Sequence, residues 1–274
     1  MTRDLRDVLL VVSAHHPHSA ALKAAAELAR RHGARLDMLC SYVEPSASPA
    51  ECFARGATAV GSVLAHIDAR IAALLEAPKA AFEQTLRDAG LTGEWSALED
   101  RDVTDHFPAG ATVADLVVLP GFHAGIVHGL AEFLLLERGM ACLLAPDEWT
   151  GSCKRVLIAW NGSEQAQRSV KRALPLLRRA EAVRIAVVAD SAASDPVDAK
   201  PAAWLEAEGI ACDHRRYQRG SGRDEEMIAQ ACTDFAADLL VMGAYGHSRV
   251  GEAILGGVTR HMLRHATIAT YLAH

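Results

Sequence analysis

Two apolar runs, "DLVVLPG" (115–121) and "DLLVMGA" (238–244), are one phrase written twice, 123 residues apart. Each opens on an aspartate, continues through Leu, Val or Met, and reaches a glycine. A short run of this kind, bounded by turn residues, reads as a strand buried on both faces. The repeat extends beyond this phrase. "DVLLVV" (7–12) answers "RVLIAW" (155–160), and "ACLLAP" (141–146) answers the closing "TIATYLAH" (267–274). Stretches of helical period lie between them. "AALKAAAELARRHG" (20–33) is rich in alanine and stops at a glycine. After "NGSE", with Ser163 as N-cap, Ala166, Val170, Ala173, Leu174 and Leu177 follow at helical spacing. Pro175 should kink or shorten that helix. The second half continues with a strand (183–190), a helix (201–209), a polar edge strand "CDHRRYQ" (212–218) and a helix marked by Ile228, Ala231, Cys232 and Phe235.

Strands alternating with helices predict parallel sheets covered on both faces. The expected architecture is α/β, with two tandem open five-stranded parallel-sheet domains over 1–147 and 153–274. The polar "PDEWTGSCK" (146–154) is the expected linker. The matching first strands, near Leu9 and Leu157, are 148 residues apart, against 123 for the fourth strands. The first half therefore carries the longer insert. It falls in 46–90 and reads as two helical pieces.

A net charge of -6 over 274 residues argues against a nucleic-acid surface, which needs clustered Lys and Arg. The one basic run, Arg215, Arg216, Arg219 and Arg223, sits beside Asp224, Glu225 and Glu226 and reads as solvated surface. The amino-terminal apolar run is Val8 to Val12, and no segment reaches the roughly 18 residues that read as a membrane span. Six cysteines (Cys40, Cys52, Cys142, Cys153, Cys212, Cys232) form no C-x-x-C pair. They read as reduced, mostly buried thiols, which sets the expected location as cytoplasmic.

In open parallel sheets, ligands bind beyond the carboxyl ends of the strands, where helix N-termini offer free N–H groups. In the second half these ends are Asn161-Gly162-Ser163, Ala189-Asp190 and the loop "GAYGHSRVGEAILGGVTR" (243–260). That loop carries neither G-x-x-x-x-G-K-[ST] nor G-x-G-x-x-G. Its form is Gly243-x2-Gly246-x9-Gly256-Gly257-Val258-Thr259. His247 and Arg249 stand at its mouth, where they can meet phosphate oxygens. The bland alternative is a tight strand exit, with positive φ at Gly243 and Gly246, and a helix that starts close to the sheet at Gly256 and Gly257. Ser163 and Ser248 lie outside any G-x-S-x-G, and no carboxylates pair by motif, so no catalytic residue is assigned. His261 with His265, and "HHPH" (15–18), lack a third ligand fixed by spacing, so no metal site is assigned.

"DLLVMGAYGHSRVGEAILGGVTRHMLRHA" (238–266) and "VLIAWNGSEQA" (156–166) resemble the universal stress protein family, in particular its tandem two-domain members. The resemblance implies a Rossmann-like, adenine nucleotide alpha hydrolase-like fold that binds ATP. It implies that Asn161, Asp190 and Gly243 border base and ribose, and that backbone amides of Gly246, Gly256 and Gly257 hold phosphates beside Val258 and Thr259. Two positions depart from the family. Asn161 stands where Asp is usual, which leaves Mg²⁺ open. Gly257 stands where Ser or Thr is usual, with Thr259 as a substitute hydroxyl. The first half keeps only the spacing of Gly121 and Gly125 and reads as a degenerate copy. In the family, association runs through the last strands. "ACLLAP" and "TIATYLAH" are thus the expected contact of an internal pseudo-dimer, with a further homodimer left open. The implied role is regulatory rather than catalytic. The alternatives are an interaction module that binds no nucleotide and a weak ATP-hydrolysing enzyme on the same fold. No nucleic-acid or membrane partner is expected.

Overall fold

Eight of the ten strands among the described residues arise where the sequence concentrates apolar residues. They are β1 (Asp7–Ser13), β2 (Arg35–Tyr42), β4 (Leu116–Pro120), β5 (Cys142–Ala145), β6 (Arg155–Trp160), β7 (Ala182–Ala189), β9 (Leu239–Gly243) and β10 (Ala269–Ala273). β8 (Asp213–Gln218) is the polar edge strand, and β3 (Trp95–Glu99), short and mixed in character, is announced by no apolar run. The computed structural model describes residues 4–16, 18–44, 60–100, 103, 107, 113–121, 126–190, 196–220, 222–245, 258–259, 261–262 and 267–274.

All ten strands form one sheet, in the order β3-β2-β1-β4-β5-β10-β9-β6-β7-β8. Each half contributes five parallel strands in the same relative order. The single antiparallel junction is β5 with β10, where Leu144, Leu143 and Cys142 face Thr270, Tyr271 and Leu272. This junction pairs two strands that would otherwise be apolar edges. The side chains alternate between faces as strand geometry requires. Val8, Leu10, Leu143, Ile158 and Tyr271 lie in one core. Leu9, Val117, Leu144, Leu157 and Leu272 lie in the other. Helices α1 (Ser19–His32), α4 (Glu164–Arg172) and α5 (Leu174–Leu177) cover the first face. α7 (Asp224–Phe235) covers the second through Ile228, Ala231, Cys232 and Phe235.

The repeated aspartate has a structural cause. Asp115 Oδ2 accepts from the amides of Arg6 and Asp7, at 2.8 and 3.2 Å. Asp238 accepts from the amides of Lys154 and Arg155, both at 2.9 Å. In each half, the residue preceding the fourth strand holds the start of the first. The break between α4 and α5 falls at Ala173, with Pro175 in the first turn of α5, where its missing N–H costs nothing.

The expected division of the insert (46–90) into two helical pieces reaches residues 46–59, which lie outside the described residues. Residues Val60–Ala89 form one 30-residue helix, α2, which runs through Pro78. Good helix formers flank that proline, and Phe82, 1% exposed, anchors the helix against the β-sheet core. Its counterpart α6 (Pro196–Ala207) has 12 residues. The expected linker (146–154) connects the halves and is packed against them. Trp149 and Cys153 are buried. The Trp149 indole donates to the Ser152 carbonyl at 2.7 Å, and Ser152 Oγ donates to Asp238 at 2.8 Å. Gly151 lies so close to α1 that a Cβ there would overlap the Ala24 carbonyl. Among the described residues the remaining helical stretches are α3 (Ile126–Glu132), continued by a π-turn over Phe133–Glu137, and residues 258–259 and 261–262. No helix among the described residues is long and apolar enough to cross a membrane. The described cysteines are free. Burial pushes the thiols of Cys40, Cys153 and Cys232 up to about 12.

The face that joins the halves predicts a pH dependence. His32, half-buried at the end of α1, has its pKa lowered to about 4 by burial and then by the charges of Arg179 and Arg31, with Asp4 opposing. An unfolded histidine binds its proton near pH 6.5, so between about 6.5 and 4 the unfolded chain holds more protons than the folded one. Stability from this group is complete above pH 6.5 and declines as pH falls toward 4. With solvent screening at a half-buried site, about 1–2 kcal/mol is at stake. Urea unfolding from pH 7.5 to 4.5 should show a shallower loss for His32→Gln than for the parent chain.

Candidate functional site

The strand order locates the crevice. From β6 the chain runs outward to β7 and β8, then returns to β9 on the other side of β6. Loops leaving β6 and β9 therefore diverge, which opens a gap beyond their carboxyl ends. A cavity of about 590 Å³ lies there.

Its inner wall comes from the first turn. Asn161 Oδ1 accepts from Ser163 N at 3.1 Å and from Ser163 Oγ at 2.7 Å. Ser163 Oγ in turn accepts from Ala166 N at 3.2 Å and caps α4, as its residue type favours. The Asn161 carbonyl is thus engaged within its own turn.

Gly243 forms the opposite lip. Positive φ is not its reason: the backbone turns left-handed two residues later, at Tyr245, with φ 60°. Gly243 is needed for close approach. A Cβ there would stand 2.5 Å from Ala166 N and 2.7 Å from the Gln165 carbonyl carbon. The start of α4 is therefore seated directly on the end of β9. Ser169, fully buried one turn further along, donates from Oγ to the Met242 carbonyl at 2.8 Å and accepts from Ala273 N at 3.1 Å. Val258 and Thr259 complete this side. Thr259, 4% exposed, stands 3.5 Å through Oγ1 from the Tyr245 amide.

The outer wall was not anticipated. Arg219, Gly222, Arg223, Asp224 and Glu225 line it. Arg219 lies 2.7 Å from Asp224 and 3.5 Å from Asp190 in ion pairs. Arg223 pairs with Glu225 at 3.2 Å and Glu226 at 3.0 Å. Two of the four arginines read as solvated surface thus face the crevice. The available signal was positional: they follow β8 and precede α7, at the carboxyl edge of the sheet. Asp190 itself lies outside the wall and is tied to it through Arg219, its side chain 74% exposed.

The crevice therefore brings together Asn161, Ser163, Gly243, Val258 and Thr259. Gly246, His247, Arg249, Gly256 and Gly257 lie outside the described residues, as do Ser248, His265 and Gly125. In the first half, the loop that follows β1 is tied to the end of β2 and the residue after it: Ala14 N donates to the Ser41 carbonyl at 2.8 Å, and Val43 N to His15 Nε2 at 3.1 Å. Gly121 abuts Pro146, where a Cβ would stand 2.9 Å from its Cα.

Against known proteins, the sequence profile described as the universal stress protein family matches residues 152–274. A universal stress protein of Synechocystis sp. is 45% identical over 47 residues, which is 17% of this chain and 16% of that protein's length. The fold as a whole is similar to a universal stress protein from Archaeoglobus fulgidus, with a TM-score of 0.67, 15% identity and 97% of each chain covered. It is also similar to a protein from Pseudomonas aeruginosa assigned to the same family, with a TM-score of 0.60, 13% identity, and 98% of this chain and 93% of that one covered. At these identities the structural likeness is one of fold.

Proposed function

We propose, from the match of residues 152–274 to the sequence profile of the universal stress protein family, that the protein is a cytoplasmic stress-response protein that binds an adenine nucleotide, ATP first, in its carboxyl-terminal half. Its role on this reading is regulatory. The observation that carries the reading is the cavity of about 590 Å³ at the divergence of β6 and β9, walled by Asn161, Ser163, Gly243, Val258 and Thr259. Its size falls within the range of small-ligand sites. Ser163 Oγ donates to an amide and caps a helix, so it is not set against a general base. That arrangement favours binding over turnover.

A second reading rests on the outer wall. Asp224 and Glu225 place carboxylates beside the crevice, and Arg219 is already engaged by Asp224 and Asp190. Such a wall opposes a polyphosphate unless those pairs open, and it suits an interaction module without nucleotide.

Equilibrium titration with ATP, with and without Mg²⁺, separates the two. The first reading expects saturable binding at or below about 1 mM. It also expects Asn161→Asp, which restores a charge while keeping the oxygen that Ser163 uses, to make binding more Mg²⁺-dependent. No saturation at millimolar ATP sinks the nucleotide reading. Multiple-turnover hydrolysis would make the protein an ATPase.

A further inference from the structure

The junction of the halves encloses a second cavity, of about 460 Å³, far from the loops just described. It lies at the amino ends of β4 and β5, against the carboxyl end of α4. Three cations converge on it: Arg138 from the first half, and Lys171 and Arg172 from the second. None forms an ion pair with a carboxylate among the described residues. Arg172 donates across the junction to the Gly139 carbonyl. Arg138 stands 5.0 Å above the Phe133 ring. Two acids also line the cavity, Asp4 and Asp115, but Asp115 already accepts from the Arg6 and Asp7 amides.

The floor is Tyr271, at the middle of β10 and 2% exposed. No hydrogen bond reaches its hydroxyl among the described residues. Burial raises its pKa and the Arg172 charge only partly opposes this, so the phenol stays protonated and available as a donor. Leu5, Met140, Leu174 and Pro175 supply apolar surface between the charges. A pocket with an apolar body and a few convergent polar groups is the usual form of a small-molecule site.

We propose that this junction cavity binds a small organic anion, with its charged group held by Arg138, Lys171 and the Tyr271 hydroxyl and its apolar body against Leu174 and Pro175. The site does not depend on the nucleotide reading. Because it is built from both halves, its occupant bridges them, adding to the β5–β10 ladder.

Calorimetric titration of the full chain with phenyl phosphate tests this. Saturable binding is expected, at least about tenfold tighter than for inorganic phosphate at equal ionic strength, because the ring buries apolar surface. The double variant Arg138→Gln/Lys171→Gln should lose at least about tenfold, as two charge-assisted contacts are removed. Asn161→Ala, in the other cavity, should bind like the parent. Circular dichroism melts check that each variant is folded. The proposal is overturned if the parent shows no saturable binding, if the double variant binds like the parent, or if the loss appears with Asn161→Ala instead. Equal binding of inorganic phosphate would overturn the organic body.

Discussion

Asp238→Ala should lower the free energy of unfolding by about 3 kcal/mol, because one carboxylate collects three donors: Ser152 Oγ and the amides of Lys154 and Arg155. Hydrogen bonds to a charged acceptor each contribute about 1.5–3 kcal/mol, and the stranded amides at the start of β6 regain only part of this from water. The contact also ties the connecting segment, through Ser152, to the sheet. In the first half, Asp115→Ala takes the acceptor from the Arg6 and Asp7 amides, the second of them at 3.2 Å, and should also destabilise the chain, by about 1–3 kcal/mol. At about 2–4 °C per kcal/mol in a domain of this size, melting of Asp238→Ala should fall by about 6–12 °C. A melting point within about 2 °C of the parent would show that the repeated aspartate is not structural.

The second large effect is Gly243→Val. The obstruction is backbone, at Ala166 and Gln165, so no flexible side chain can yield. The helix α4 must lift from β9 or the strand must bend, at a cost of about 3 kcal/mol or more. Lifting α4 displaces Ser163 and Asn161, which belong to the crevice, and breaks the seat of the fully buried Ser169. If the crevice holds nucleotide, ATP affinity should drop at least about tenfold. Gly129→Ala is the matched control. It lies within α3, exposed, with nothing within 4 Å of an added Cβ. It should stabilise by about 0.5–1 kcal/mol, since alanine is the better helix former. Urea unfolding of both variants gives the comparison. Equal effects would show that approach of α4 to β9 does not govern position 243.

Gly243 and Gly129 look alike in the sequence, and only the packed structure distinguishes them. Strand β3 escaped notice for a related reason. At the edge of the sheet its five residues are only half-buried, so no apolar run marks it. The arginines at 219 and 223 looked like surface because their neighbours Asp224, Glu225 and Glu226 neutralise them in sequence. In space the same acids hold Arg219 and Arg223 along the crevice wall. Pro78 lies inside α2, and packing around Phe82 carries the helix past it.

Alone, the sequence determined the alternation of strands and helices, the repeat of the apolar strands, the cap at Ser163 and the edge of the sheet at which the crevice opens. Burial periodicity and turn chemistry are local properties, and the chain writes them directly. Tertiary structure alone decided that the expected linker is packed, that Gly243 serves close approach, that Arg219 and Arg223 face the crevice, and that three cations from two halves line one cavity with Tyr271. Each of these joins residues distant in the chain, and only folding sets such distances.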